Sequence, residues 1–168
     1  MEEAHMRRSG VMFAAASFLV AISYPVSVGA QTETSVTGAA EGVFPAGASY
    51  LGVALKSLKL GMGLSIAGTW ALGQFQTTLA GVTALGVGQE IQVECQASSS
   101  VPSESNSAVF SGTCSVDPGN GTPVLPDVPF TVAVATNADG TGSLTLSLGA
   151  TNLPAAAVNE GYMTVQQP

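Results

Sequence analysis

The sequence is poor in the residues on which most catalytic and nucleic-acid-binding sites depend. Only 9% of its 168 residues are charged, and it has one histidine and four lysines and arginines in total. His5, Arg7 and Arg8 all fall within the first thirty residues, so Lys56 and Lys59 are the only basic side chains after them. Residues 31–168 therefore lack both the base of a Ser-His or Cys-His nucleophile and a guanidinium that could clamp an oxyanion. We expect a non-enzymatic protein without a cofactor.

Positive charge is scarce, whereas negative charge is not. Residues 31–168 contain two lysines and nine carboxylates, which gives a net charge of −7. An acidic chain of this kind has no electrostatic attraction to phosphate, so nucleic acids and anionic membrane surfaces are not expected partners. Glu90 and Glu94 are the carboxylate pair that could form a glycosidase-type site. A role as solvated charges on the outer face of a strand, which keep the protein soluble, explains them better.

The N-terminal segment predicts export. Arg7 and Arg8 precede SGVMFAAASFLVAIS, an apolar run too short to span a membrane, and Val28-Gly29-Ala30 offers a cleavage site. We expect residues 1–30 to be a secretory signal peptide of bacterial type, and the mature protein to be secreted, periplasmic or at the cell surface. After cleavage, no segment is expected to span the membrane.

The pattern of residues in the remainder of the chain predicts β-strands. Leu58 to Ile66 alternate apolar and small or polar residues, and similar alternation recurs around Phe75, Phe130 and Leu144. Turn-forming residues separate these segments at intervals of about ten residues, which favours an all-β fold. We predict an antiparallel β-sandwich of about seven to nine strands. It resembles the immunoglobulin-like sandwich as an architecture only, and that architecture hosts many unrelated functions.

The expected organisation is one domain. Residues 31–49 are predicted to be a partly flexible N-terminal segment, and residues 50–168 a single sandwich domain. Within that domain, one hairpin can be specified: pairing Val134 with Leu144 and Phe130 with Leu148 puts large apolar residues on one face. That register leaves residues 138–140 as the loop, with Gly140 where a positive φ is needed.

The two cysteines predict a second hairpin. Setting Cys95 opposite Cys114 pairs Val93 with Val116 on one face and Gln96 with Thr113 on the other, and continues to Ser99 opposite Phe110. In an exported protein, two cysteines facing each other on paired strands indicate a disulfide. A zinc site would need further ligands, and a redox pair would need a shorter spacing and a cationic environment.

Two sets of residues are candidates for ligand binding. Trp70, with Tyr50 or Tyr162 as a second ring, offers an aromatic surface on which a sugar could stack, although a lone tryptophan is more often a core or rim residue. Two loops faintly resemble calcium sites through Asp117, Asn120, Asn137 and Asp139, but tight turns demand the same residue types.

Two functions of different class follow. The first is an exported, non-catalytic domain with a structural or adhesive role at the cell surface or in the extracellular matrix. The alternative is a ligand-binding module for a glycan that uses Trp70, with or without calcium. In either case we expect the partner to be a protein or a glycan.

Overall fold

The computed structural model describes residues 33–102 and 104–167, and these residues form ten β-strands and no helix. A helix long and apolar enough to cross a membrane is accordingly absent from these two ranges. The strands are β1 (Glu33–Val43), β2 (Ser49–Tyr50), β3 (Val53–Ala67), β4 (Trp70–Thr83), β5 (Gly88–Val101), β6 (Ser107–Asp117), β7 (Leu125–Thr136), β8 (Gly142–Leu148), β9 (Thr151–Asn152) and β10 (Ala156–Gln166).

All pairings are antiparallel, and the sheet closes on itself. The order is β1-β10-β8-β7-β6-β5-β4-β3-β2, and β1 also pairs with β3. Eight strands of 7 to 15 residues thus form a continuous ring, while the two-residue strands β2 and β9 add to β3 and β8. Opposite sides of the ring face each other across a shared core, as the layers of a sandwich do.

The predicted all-β antiparallel fold is confirmed. The likeness to the immunoglobulin sandwich does not extend to strand order, because long strands that follow each other in the chain are mostly neighbours in the sheet, without the Greek-key connections of that fold.

The core follows from the alternation of residues along each strand. In β3, every buried residue from Leu58 to Ile66 is separated from the next by one that is exposed or half-buried. The largest side chains meet at the centre, where the rings of Phe75, Phe110 and Phe130 contact one another with centroids 6.1 to 6.2 Å apart. Three strands, β4, β6 and β7, contribute one ring each, so this cluster ties distant parts of the chain together.

The hairpin of β7 and β8 has the predicted register. Val134 lies opposite Leu144 and Phe130 opposite Leu148. Asn137 and Thr141 close the loop through a backbone hydrogen bond of 2.8 Å, and Gly140 has a φ of 84°. Turn chemistry and burial therefore specify the same pairing here.

The disulfide between Cys95 and Cys114 is confirmed. The two residues lie opposite each other on β5 and β6 with their Cα atoms 4.0 Å apart, and both are buried. Val93 faces Val116 and Gln96 faces Thr113, as predicted.

Beyond the disulfide, the predicted register is wrong by one residue. A bulge between Ala97 and Ser99 places Ser111 opposite Ser99, so that Ser100 rather than Ser99 faces Phe110. The extra residue turns Ser100 into the interior, where its hydroxyl donates a hydrogen bond of 2.9 Å to the carbonyl of Gly68. This bond satisfies a polar group that the bulge would otherwise bury without a partner.

The N-terminal boundary also differs from the expectation. Residues 33–43 belong to the sheet and do not precede a domain that begins at residue 50, because β1 pairs with β3 on one side and β10 on the other. Val36 is fully buried, and a methyl group on Gly38 would lie 2.9 Å from the carbonyl oxygen of Tyr162 on β10. The predicted signal peptide, residues 1–30, lies outside the described residues.

Candidate functional site

Among the residues that the structure describes, the most exposed aromatic side chain lies at the start of β4. A turn with Gly68 at a φ of 60° reverses the chain, and Trp70 then pairs with Ala67 of β3. Trp70 is 74% exposed, and Leu72, two residues further on the same face, is 77% exposed. Val101, at the end of the neighbouring strand β5, is exposed too. We call Trp70, Leu72 and Val101 the apolar patch.

The other two predicted aromatic candidates do not join Trp70. Tyr162 is 54% exposed on β10. It lies opposite Ala39 of β1, and Ala39 in turn lies opposite Gly61 of β3. Gly61 lies six residues along β3 from the partner of Trp70, which is about 20 Å at 3.3 Å per residue. Tyr50 is only 6% exposed and its burial raises the pKa of the phenol, so it is a core residue. The three rings do not form one platform.

A polar surface that the sequence analysis did not single out covers the outside of β4, β5 and β6. Gln76 lies opposite Glu94, which lies opposite Ser115, and one row further along Gln74, Gln96 and Thr113 are paired in the same way. We call these six residues the amide face. Their side chains point outward because Phe75, Cys95 and Cys114, between them in the chain, point into the core.

Two depressions flank the glutamines of this face. One, of about 500 Å³, lies over β5 and β6, and Pro126 and Asp127 of β7 form its far wall. The other, of about 440 Å³, lies over β3, where Gly61 and Gly63 carry no side chains. Gln74 and Gln76 line both, so they form a ridge between the two depressions.

Glu94 is the one charged residue among the six of the amide face. Glu94 and Asp127 are the carboxylates around its larger depression. The nearest lysine, Lys59, forms an exposed ion pair with Glu41 at 3.2 Å. The surface can therefore donate and accept hydrogen bonds through amides and hydroxyls, but it offers no unpaired cation to an anionic ligand.

The four weak calcium candidates form turns. The side-chain oxygen of Asp117 accepts the backbone N–H of Gly119 at 2.9 Å, and that of Asn120 accepts the N–H of Thr122 at 3.0 Å. Within the described ranges, no three His, Cys, Asp or Glu side chains lie close enough together to hold a metal.

The second loop is built in the same way. Asp139 accepts both the hydroxyl and the N–H of Thr141, and Asn137 donates to the same hydroxyl. The hydrogen bond from the hydroxyl of Thr141 has the largest effect on the pKa of Asp139, followed by the bond from the N–H of Thr141, and both hold that pKa below its ordinary value. All four residues thus have the local hydrogen bonds that tight turns require.

No protein-family model, no curated protein and no solved structure matches the chain.

Proposed function

We propose that the chain is an exported, non-catalytic domain with an adhesive role at the cell surface or in the extracellular matrix. The apolar patch is the observation that carries this proposal. The other large apolar or aromatic side chains exposed on strands, Val43, Val101, Leu125 and Tyr162, are 39 to 60% exposed. Trp70 and Leu72 are more exposed than these, and they lie two residues apart on one face of β4. Exposed apolar patches on soluble proteins mark interaction sites, and tryptophan is enriched among residues that dominate binding energy.

Sequence composition supports the non-catalytic part of the proposal. Residues 31–168 contain no histidine and no arginine. Glu90 and Glu94 both lie on the outside of β5, where Glu90 faces Ala80 and Glu94 faces Gln76. Neither carboxylate lies in an enclosed cleft from which water could be excluded around a reacting bond.

Export is tested separately. N-terminal sequencing of the protein recovered from the periplasm, the cell surface or the medium should find Gln31 as the first residue, because the signal is expected to be cleaved after Ala30. Recovery of the uncleaved chain from the cytoplasm would contradict export.

Adhesion is tested by sedimentation of the purified protein with the insoluble envelope and matrix fraction of the producing cells. The double variant Trp70→Ser/Leu72→Ser should reduce the bound fraction about tenfold or more, since loss of a tryptophan anchor typically has an effect of this size. Leu85→Ser is the matched control. Leu85 has the same side chain as Leu72, is 90% exposed and lies in the turn at the opposite end of β4. An equal loss in the control would mean that binding is unspecific, and absence of binding in the unmodified protein would refute adhesion.

A second candidate function is glycan binding through Trp70. It is favoured by the exposure of the indole, on which a sugar ring could stack. Because Trp70 is the only tryptophan, its fluorescence reports on this site alone. Titration with polysaccharides, with and without calcium, should change the emission if a sugar stacks there. No response across the panel would remove this candidate.

A further inference from the structure

We propose that the amide face binds a neutral oligosaccharide chain. The proposal rests on the role of the protein as an exported binding domain, but it assigns the ligand to a surface that includes neither Trp70 nor Tyr162. The ligand class is a chain of uncharged, hydroxyl-rich sugar units lying across β3 to β6.

The first reason is the density of amide groups. Gln74, Gln76 and Gln96 each offer a carbonyl acceptor and two N–H donors, and the hydroxyls of a sugar both donate and accept. The cross-strand partners Gln74 and Gln96 are neighbours at a spacing of about 5 Å, while Gln74 and Gln76 follow each other on the same side of β4. Neighbouring hydroxyls of one sugar unit can thus meet two side chains at once.

The second reason is that ligand binding would break no hydrogen bond between the side chains of this face and the rest of the protein. In the two ranges that the structure describes, the side chains of Gln74, Gln76, Gln96 and Glu94 make no hydrogen bond to other protein groups. A ligand would replace only water, so its hydrogen bonds are not offset by broken bonds within the protein.

The third reason is shape. A methyl group added to Gly63 would meet no atom within 4 Å, whereas one added to Gly61 would lie 3.2 Å from the amide nitrogen of Gln76. The side chain of Gln76 therefore lies against Gly61, and open space remains over Gly63. The volumes on either side of the ridge, about 440 and 500 Å³, are within the range of ligand sites. A chain that crosses β3 to β6 would span three strand spacings, about 14 Å.

Asp127 lies in the far wall of the larger depression. Its backbone has a φ of 54°, in the left-handed region that aspartate and asparagine occupy more readily than most residues with a side chain. The carboxylate can accept a charge-assisted hydrogen bond from a sugar hydroxyl.

Charge selects a neutral ligand. Glu94 and Asp127 repel phosphate, sulfate and uronate groups, and Lys59 at the margin is already paired with Glu41. The composition of the face also disfavours a protein ligand, because the centre of a protein interface is apolar and the centre of this face is not.

The test is isothermal titration calorimetry of the purified protein. The ligands are hexasaccharides of β-1,4-glucan, β-1,3-glucan, β-1,4-xylan, α-mannan and chitin, with oligogalacturonate as the anionic comparison. Gln74→Ala/Gln96→Ala should weaken the binding of at least one neutral ligand tenfold or more. Gly63→Val should do the same by filling the depression over β3, and it is not expected to disturb the fold because valine favours strands and the space is open.

Gln166→Ala is the matched control, because Gln166 is an exposed glutamine near the end of β10 and lies outside both depressions. Its affinity should equal that of the unmodified protein, and thermal unfolding should show all variants folded. No binding of any neutral hexasaccharide, equal loss in Gln166→Ala, or preference for oligogalacturonate would overturn the proposal. So would binding that Trp70→Ala abolishes and Gln74→Ala/Gln96→Ala leaves intact. The adhesive role has its own test in the Trp70 and Leu72 variant, so the two proposals can fail independently.

Discussion

Reduction of the disulfide should destabilise the protein by a predictable amount without changing its fold. Cys95 and Cys114 are 19 residues apart in the chain. In the chain-entropy model, releasing a loop of this length gives the unfolded state enough freedom to lower the free energy of unfolding by about 3 kcal/mol at 25 °C. The pairing of β5 and β6 should survive loss of the bond, because Cys95 also lies opposite Phe75 of β4 and Cys114 opposite Val128 of β7. Strand content should therefore stay the same.

The measurement is urea unfolding of the protein refolded with and without a reductant, with mass spectrometry to confirm the thiol state. Circular dichroism is the suitable signal. The only tryptophan, Trp70, is already largely exposed in the folded protein, so its fluorescence should change little on unfolding. Equal free energies of unfolding in the two states would refute the loop-entropy reasoning. Loss of strand signal in the reduced protein before urea is added would show that the bond is needed to hold β5 and β6 in place.

Three further outcomes can be checked with single substitutions. Leu51→Asn should stabilise the protein by about 1 kcal/mol in urea unfolding, because Leu51 has a φ of 48° and asparagine tolerates this region; destabilisation would mean that the half-exposed leucine contributes packing. Gly112→Ala should destabilise by about 2 kcal/mol or more, since its methyl group would overlap a backbone carbonyl of β5, whereas Gly88→Ala, with open space around it, should be tolerated. Thr141→Ala should raise the pKa of Asp139 in an NMR titration by removing the hydroxyl that donates to the carboxylate; because that pKa is lowered in the folded protein, the associated stability is present at neutral pH and lost as the pH falls through the folded-state pKa.

Much of the fold could be predicted because local signals agreed. The alternation from Leu58 to Ile66 marks β3, and the apolar pairs on either side of Gly140 set the register of β7 and β8. The same alternation placed Cys95 opposite Cys114. In each case, a period of two and suitable turn chemistry act within one or two neighbouring strands.

What could not be predicted depended on small or polar residues and on distant pairing. The bulge falls in a run of three serines, residues 98–100, where no apolar side chain marks the inward face. In β1, Val36 is followed by glycines and alanines, which give little periodic signal. Its pairing with β10 joins residues such as Ser35 and Gln166 that lie far apart in the chain. No local pattern reports contacts of this kind.

The candidate site was partly predictable for the same reason. The outward direction of Glu94 and Gln96 follows from the hairpin of β5 and β6. The amide face appears only when Gln74 and Gln76 of β4 are brought beside them, which requires the register between β4 and β5. For the aromatic candidates, exposure depended on tertiary packing: it left Trp70 at the surface and covered Tyr50.

The closure of the sheet has a consequence for how the molecule assembles. β10 is the last of the long strands in the chain, yet it lies between β1 and β8, with nine register pairs to β1 and only three to β8. Until it is in place, β1 and β8 each present an open edge to other chains, and non-local pairing of this kind is slow to form. A chain in which residues 156–166 have not yet paired passes through that state with its other long strands available and its ring still open. Completion of the ring, rather than formation of any single hairpin, ends the interval in which one copy can aggregate with another through its edges.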